Sequence, residues 1–200
     1  MFRSAFRGIF LASLIAGSAA ALSGCAGAVL GAGAAAGVAA FEERPFRTIA
    51  TDTKIATQLR VALLEESERH FAKVGIEVFE GRVLLTGIVD SEKMRADAVR
   101  LAWKTENVKE VLNEVFVGTG SLMDTAKDSW ITAQLTAKMA VDKDVLAINY
   151  AVETVGATVY LMGIAQSQSE LDRVIAHARE VSYVRKVISH VRVKKAGTAS

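Results

Sequence analysis

Reactive side chains are scarce in this 200-residue chain: one thiol, Cys25, and three imidazoles, His70, His177 and His190. A single cysteine excludes a disulfide scaffold and any Cys-rich zinc site, and leaves Cys25 either a modification site or an ordinary small apolar residue. The histidines share no ligand or catalytic spacing, so each is expected to be structural, with no metal and no cofactor. His177 is expected at a core margin on a helix, and His190 facing solvent on a strand. Gly118-Thr119-Gly120-Ser121 lacks the Gly-Lys-Ser/Thr ending of a phosphate loop and reads as linker. Glu65, Glu66 and Glu68 run into Arg69 and read as a solvated helix end. No Gly-x-Ser-x-Gly elbow occurs, no catalytic set emerges, and the chain is not expected to be an enzyme. Its 24 basic and 22 acidic residues exclude a generically basic nucleic-acid binder.

The thiol gains meaning from what precedes it. Arg3 and Arg7 form a positive n-region without acids, and Ile9 to Leu22 is an uncharged apolar run of h-region length. The run ends in Leu22-Ser23-Gly24-Cys25, which resembles the lipobox of bacterial lipoproteins. Small residues at Ser23 and Gly24 let a peptidase reach the bond, and only a thiol yields the thioether to diacylglycerol. The expectation is a signal over 1–24, then an acylated, palmitate-bearing Cys25 and a flexible Gly- and Ala-rich tether over 25–47. An uncleaved anchor from Ile9 to Ala40 is the alternative, since that stretch is uncharged and long enough to span. Two of the 24 basic residues would leave with the signal, so the remaining 22 balance 22 acids.

A shift of 76 positions superposes two segments without a gap. Asp52, Ile55 and Leu59 fall on Asp128, Ile131 and Leu135; Val83, Leu85, Gly87 and Ser91 fall on Val159, Leu161, Gly163 and Ser167; Val108 and Val115 fall on Val184 and Val191. The chain is a duplication. In each copy an acid opens an apolar-periodic helix, where it suits the positive end of the helix dipole. A hairpin follows, turning at Glu80-Gly81 in copy one. Ser91 caps a second helix through Lys104, and a Val-rich strand closes the unit. The predicted class is α+β, two tandem α-β-β-α-β domains with two helices packed on a three-stranded sheet. The domains are expected over 48–117 and 128–195, with a linker at 118–127 and a disordered tail at 196–200.

The hairpin and closing strand resemble the BON domain, through Val83-Leu84-Leu85-Thr86-Gly87-Ile88-Val89 and Val159-Tyr160-Leu161-Met162-Gly163-Ile164. Two such units behind a lipobox resemble the dual-BON-domain lipoproteins of the Gram-negative outer membrane. That resemblance implies a non-enzymatic protein on the periplasmic face, concerned with phospholipid membranes and envelope integrity, whose second domain contacts lipid.

Matched positions that differ show where the copies specialised. Lys54 corresponds to Trp130, so the site tolerates exposure, and copy two is expected to display an indole there. Leu84 becomes Tyr160 and Asn107 becomes Tyr183, which adds aromatics suited to a membrane interface. Residues 52–117 carry 10 basic and 12 acidic side chains, whereas 128–195 carry 9 and 7. The expected phospholipid-binding residues are Trp130, Lys138, Lys143, Arg185, Lys186 and Arg192, with anionic phospholipid as the partner and no nucleic acid. The alternatives are that Trp130 packs against copy one, or that the chain is an adaptor for outer-membrane assembly machinery.

Overall fold

The structure, a computed structural model, describes residues 45–118 and 122–194. The signal, Cys25 and nearly all of the tether expected at 1–47 lie outside the described residues, as does the tail. Helix α1 (Phe46–Phe71) leads to the hairpin β1 (Gly75–Phe79) and β2 (Arg82–Val89), then α2 (Glu92–Lys104) and β3 (Glu110–Val117). The second copy repeats the order with α3 (Leu122–Val141), β4 (Tyr150–Val155), β5 (Thr158–Ala165), α4 (Gln168–Glu180) and β6 (Lys186–Val193). The second copy's first helix therefore starts at Leu122, ahead of the expected boundary at 128, and the linker is correspondingly shorter than 118–127.

Each sheet runs β1-β2-β3 or β4-β5-β6. The hairpin pairs are antiparallel and the outer pairs β2/β3 and β5/β6 are parallel, so α2 and α4 serve as the crossovers that parallel strands require. Their starts are capped alike: Ser91 Oγ accepts from the Met94 N–H at 3.3 Å, and Ser167 Oγ from the Glu170 N–H at 3.1 Å. Gly87 and Gly163 adopt φ of +114° and +144°. A Cβ on either would strike the backbone entering the first strand, at the Lys73 carbonyl and the Asn149 carbonyl. The signature glycine is therefore where the strand passes under its own loop.

The matched acids do not stand at helix starts. Asp52 and Asp128 lie six residues inside α1 and α3, buried, and reach across to the hairpin turns. Asp52 accepts from the N–H groups of Glu80 and Gly81, both at 2.8 Å. Asp128 accepts from Gly156 at 2.7 Å and Ala157 at 2.8 Å. Both turns have positive φ at both central residues, the primed geometry that follows strand twist. The two inward N–H groups of such a turn would otherwise be buried without acceptors, and one carboxylate satisfies both.

Alternate residues of the central strands fill two separate cores. Val83 and Leu85 join Ile55, Leu59, Leu63, Ala98 and Ala102 beneath the helices, and Val159 and Leu161 do the same with Ile131, Leu135, Met139, Val174 and Ala178. The residues between them point the other way, where Phe79, Leu84, Tyr160 and Met162 form a third cluster closed by Leu112, Val155, Ile164 and Ile188. The two sheets thus pack face to face, helices outward. Tyr160, expected as a displayed aromatic, is fully buried in this seam.

Equivalent residues meet across it, as a two-fold relation demands. Leu84 shares the cluster with Tyr160 and Leu112 with Ile188. Glu114 hydrogen-bonds its own counterpart His190 at 3.0 Å. His190 is 18 % exposed, and the expectation of a solvent-facing histidine is wrong because the partner sheet covers that face. Arg82 ties the seam further, pairing with Glu110 at 2.5 Å and donating to the His190 carbonyl at 2.9 Å.

Removing either clamp strands two buried N–H groups. Asp52→Ala and Asp128→Ala are each expected to lower the unfolding free energy by about 2–3 kcal/mol, measured by urea denaturation. A loss below about 0.5 kcal/mol would mean that the turns are held by the strands alone.

Candidate functional site

Helix α3 buries Ile131, Leu135 and Met139 and still carries apolar residues on its opposite side. Ala126, Trp130, Ala133, Ala137 and Val141 recur at helical spacing and all are exposed, Trp130 at 43 % and Val141 at 81 %. The stripe runs most of a helix about 30 Å long, at 1.5 Å per residue over the 20 residues of α3. Beyond the helix the loop presents Leu146 and Ile148, also exposed. That loop is held from behind by Glu170, a buried carboxylate that accepts from the N–H of Leu146 at 2.8 Å and of Gln166 at 2.6 Å. Copy one has Met94 at the equivalent position and no such tie. A second brace is Asp142, which meets His177 Nε2 at 2.6 Å and Arg173 at 3.6 Å. The His177 contact chiefly holds the Asp142 carboxyl below the ordinary aspartate value. His177 sits half-buried on α4, at a core margin as expected.

At its N-terminal end the stripe meets a second aromatic. Tyr183 packs edge-on against Trp130 with ring centroids 5.9 Å apart, and Lys127 Nζ stands 4.4 Å above the Tyr183 ring. Tyr183 is 63 % exposed and has φ of +71°, a left-handed conformation that bulky residues rarely take. Its equivalent Asn107 has φ of +67°, where asparagine is at ease. In copy one the same place holds an ion pair, Lys54 to Glu106 at 2.9 Å, so the duplication has exchanged a charged contact for an aromatic one. The rest of the copy-one face is Ala50, Thr57, Val61 and Glu65 opposite Ala126, Ala133, Ala137 and Val141, so the apolar stripe is continuous in copy two alone.

The expected site residues divide accordingly. Trp130 lies toward the N-terminal end of the face, partly exposed and edge-on to Tyr183. Lys138 flanks it and pairs with Glu180 at 2.9 Å, holding that carboxyl below its ordinary value. Lys143 is exposed in the loop after Val141. Arg185 donates to the Gly156 carbonyl at 3.2 Å, on the turn that Asp128 clamps, two residues beyond Tyr183, and Lys186 is exposed beside it. Arg192 is placed elsewhere. It pairs with Glu80 of copy one at 3.2 Å, about 23 Å along β6 from Arg185 at 3.3 Å per residue. The missed members are Lys127, Ala133, Ala137, Val141, Leu146 and Ile148. Their signal is apolar periodicity on the outward side of a helix whose inward side is already apolar. Among the described residues, no helix is long and apolar enough to cross a membrane, and no cluster of three or more His, Cys, Asp or Glu is placed to hold a metal.

The BON domain family profile matches residues 51–119 and 127–195. An uncharacterized protein in the gshII 5′ region of Anaplasma centrale is 48 % identical over 126 residues, 62 % of this chain and 83 % of its own length. The outer membrane lipoprotein DolP of Haemophilus influenzae is 34 % identical over 179 residues, 88 % of this chain and 92 % of its own. The osmotically-inducible protein Y of Escherichia coli is 27 % identical over 146 residues, 72 % of this chain and 73 % of its own.

The left-handed tyrosine gives a test of cost. Strain of this kind is worth about 1–3 kcal/mol, against about 0.5–1.5 kcal/mol for the aromatic pair. Tyr183→Asn, the copy-one residue, is expected to raise the unfolding free energy by about 1 kcal/mol in denaturant titration. A destabilised variant would show that the Trp130 contact outweighs the strain.

Proposed function

The chain belongs to the BON domain family, and from that premise we propose that it is a lipid-anchored envelope protein whose second domain lies on an anionic phospholipid surface through helix α3. The observation that carries this reading is the exposed stripe of Ala126, Trp130, Ala133, Ala137 and Val141, unbroken in copy two and interrupted in copy one by Lys54, Thr57 and Glu65. Such a face costs solubility wherever it meets only water. A helix with one exposed apolar side, an indole and a basic flank suits the headgroup region, where it lies in the plane of the membrane.

The parts have distinct tasks in this reading. Trp130 and Tyr183 combine apolar bodies with hydrogen-bonding edges and enter at headgroup depth. Val141, Leu146 and Ile148 enter at the other end, so that both ends of α3 are seated. Lys127, Lys138, Lys143, Arg185 and Lys186 ring the face and meet phosphates, each worth on the order of 1 kcal/mol near an anionic leaflet. Modest affinity is enough when an acylated Cys25 already confines the domain to the surface. A relative named as an outer membrane lipoprotein, aligned over most of both chains, supports that anchor and a place at the periplasmic face of the outer membrane. The reading assigns the chain no reaction, and its work is to support the envelope by holding lipid.

The test uses residues 45–200, without the anchor, in co-sedimentation with vesicles of phosphatidylglycerol and phosphatidylcholine or of phosphatidylcholine alone. Binding is expected only where the anionic lipid is present and is expected to weaken with salt. Trp130→Glu and Val141→Glu should each reduce it about tenfold or more, while Lys54→Glu in copy one leaves it unchanged. Retention of full binding by Val141→Glu would remove the helix face from the account. A stoichiometric protein partner indifferent to lipid charge would favour the adaptor role.

A further inference from the structure

The two-fold relation between the sheets forces residues near its axis to face their own counterparts. Three such pairs are chemically matched: Leu84 with Tyr160, Leu112 with Ile188, and Glu114 with His190. A fourth is not. Glu77 and Glu153 occupy equivalent places on the edge strands β1 and β4, in register with Leu84 and Tyr160 respectively. Their neighbours on the same sheet face, Phe79 and Val155, belong to the seam cluster, so both carboxyls point into the seam. A Cβ on Gly75 of copy one would come within 3.5 Å of Glu153 Oε1, which places that carboxyl against the opposite sheet.

The groups around Glu153 give it little reason to ionise. The charged groups that act on it are Glu77 from β1 and Asp128 from α3, both acids. Strand β5 carries no charged residue. The one charged residue of β2, Arg82, is engaged with Glu110 and the His190 carbonyl. Other charged pairs at the seam, among the described residues, include Glu114 with His190 and Glu80 with Arg192. Burial first, then Glu77 and Asp128, pushes the Glu153 carboxyl up to about 7.

We propose that the Glu77–Glu153 pair makes the docking of the two domains proton-dependent, the seam closing when Glu153 carries a proton and loosening when it is charged. The sign follows from linkage. A carboxyl with a raised value in the docked state binds its proton there over a pH range in which the separated state has already released it. Docking is therefore strongest below the ordinary glutamate range and weakens progressively as pH rises toward 7, after which both states are ionised and the loss is complete. The hairpin that carries Glu153 continues into the Gly156–Ala157 turn clamped by Asp128, so the seam and the base of helix α3 share one element.

Amide hydrogen exchange of the full chain in detergent, corrected for the intrinsic pH dependence, reads the seam strands β1 and β4 directly. Between pH 5.5 and 8.5 their protection is expected to fall at least tenfold in the wild type. In Glu153→Gln it should stay high and nearly flat. Glu77→Gln, which removes the neighbouring charge, should move the midpoint of the wild-type fall to lower pH. Protection that is constant with pH in the wild type overturns the proposal, as does a fall in Glu153→Gln equal to that of the wild type. If Glu153→Gln does not fold, an unmoved midpoint in Glu77→Gln overturns it.

Discussion

A three-stranded sheet has two faces, and each repeat of this chain has helices for only one of them. The other face of β2 and β5 carries Leu84, Thr86 and Ile88 or Tyr160, Met162 and Ile164, too apolar to be left in water. Pairing the two uncovered faces solves the problem for both repeats at once, and most of the remaining architecture follows. Helices α1 to α4 are driven outward, where their second sides become available surface. The equivalence of the repeats becomes a two-fold relation, which brings residues such as Glu114 and His190 together although they are 76 positions apart. The outer edges then need protection, and the strands supply it themselves: Asn113 accepts from the Val115 N–H and Ser189 from the Val191 N–H, so edge donors are partly occupied from within.

Duplication also divides the labour. Copy one retains an ordinary solvated helix face, with Lys54 paired to Glu106 and Glu65 exposed at its far end. Copy two has exchanged those groups for Trp130, Tyr183 and Val141, each unfavourable in isolation: two aromatics and a valine in water, one of them on a left-handed backbone. The fold underneath is unchanged, since the Asp clamp, the Ser cap and the signature glycine occur in both. On the outer helix face, what differs is confined to exposed positions.

This explains which features could be read from the sequence and which could not. The repeat, the element order, the Ser91 cap and the Glu80–Gly81 turn rest on local patterns, and they stand in the structure as expected. The Asp clamps are not legible in the sequence because an acid near a helix start has a familiar local meaning, whereas their partners lie 28 and 29 residues onward. Tyr160 and His190 were misplaced for a related reason. Copy two's central strand, Thr158–Ala165, is almost continuously apolar, the mark of a strand covered on both faces, and a single domain offers nothing to cover the second. The outward stripe of α3 was hidden by alanine, which fits a core and a surface equally well. Ala133 stands out only beside Thr57, and Val141 only beside Glu65. Arg192 was grouped with Arg185 by closeness in sequence, yet along an extended strand seven residues carry it to the other copy.

The places where local rules fail are therefore of two kinds, and the seam separates them. On the outer surface, Tyr183 is strained and Trp130 is wet although copy one shows that an asparagine and a lysine satisfy the same backbone. Nothing in the packing of the repeat requires the aromatics, since Asn107 and Lys54 fill the same positions in copy one. Within the seam, Glu77 and Glu153 occupy equivalent places on β1 and β4, set there by the symmetry of the repeats. The first kind of conflict lies on the outer face of the second domain, and the second lies at the contact between the domains. A chain that placed both conflicts on one repeat would have little stability left to support them. Two copies joined by a broad apolar seam let the undecorated repeat, with its complete core around Leu59 and Leu85, sustain the decorated one.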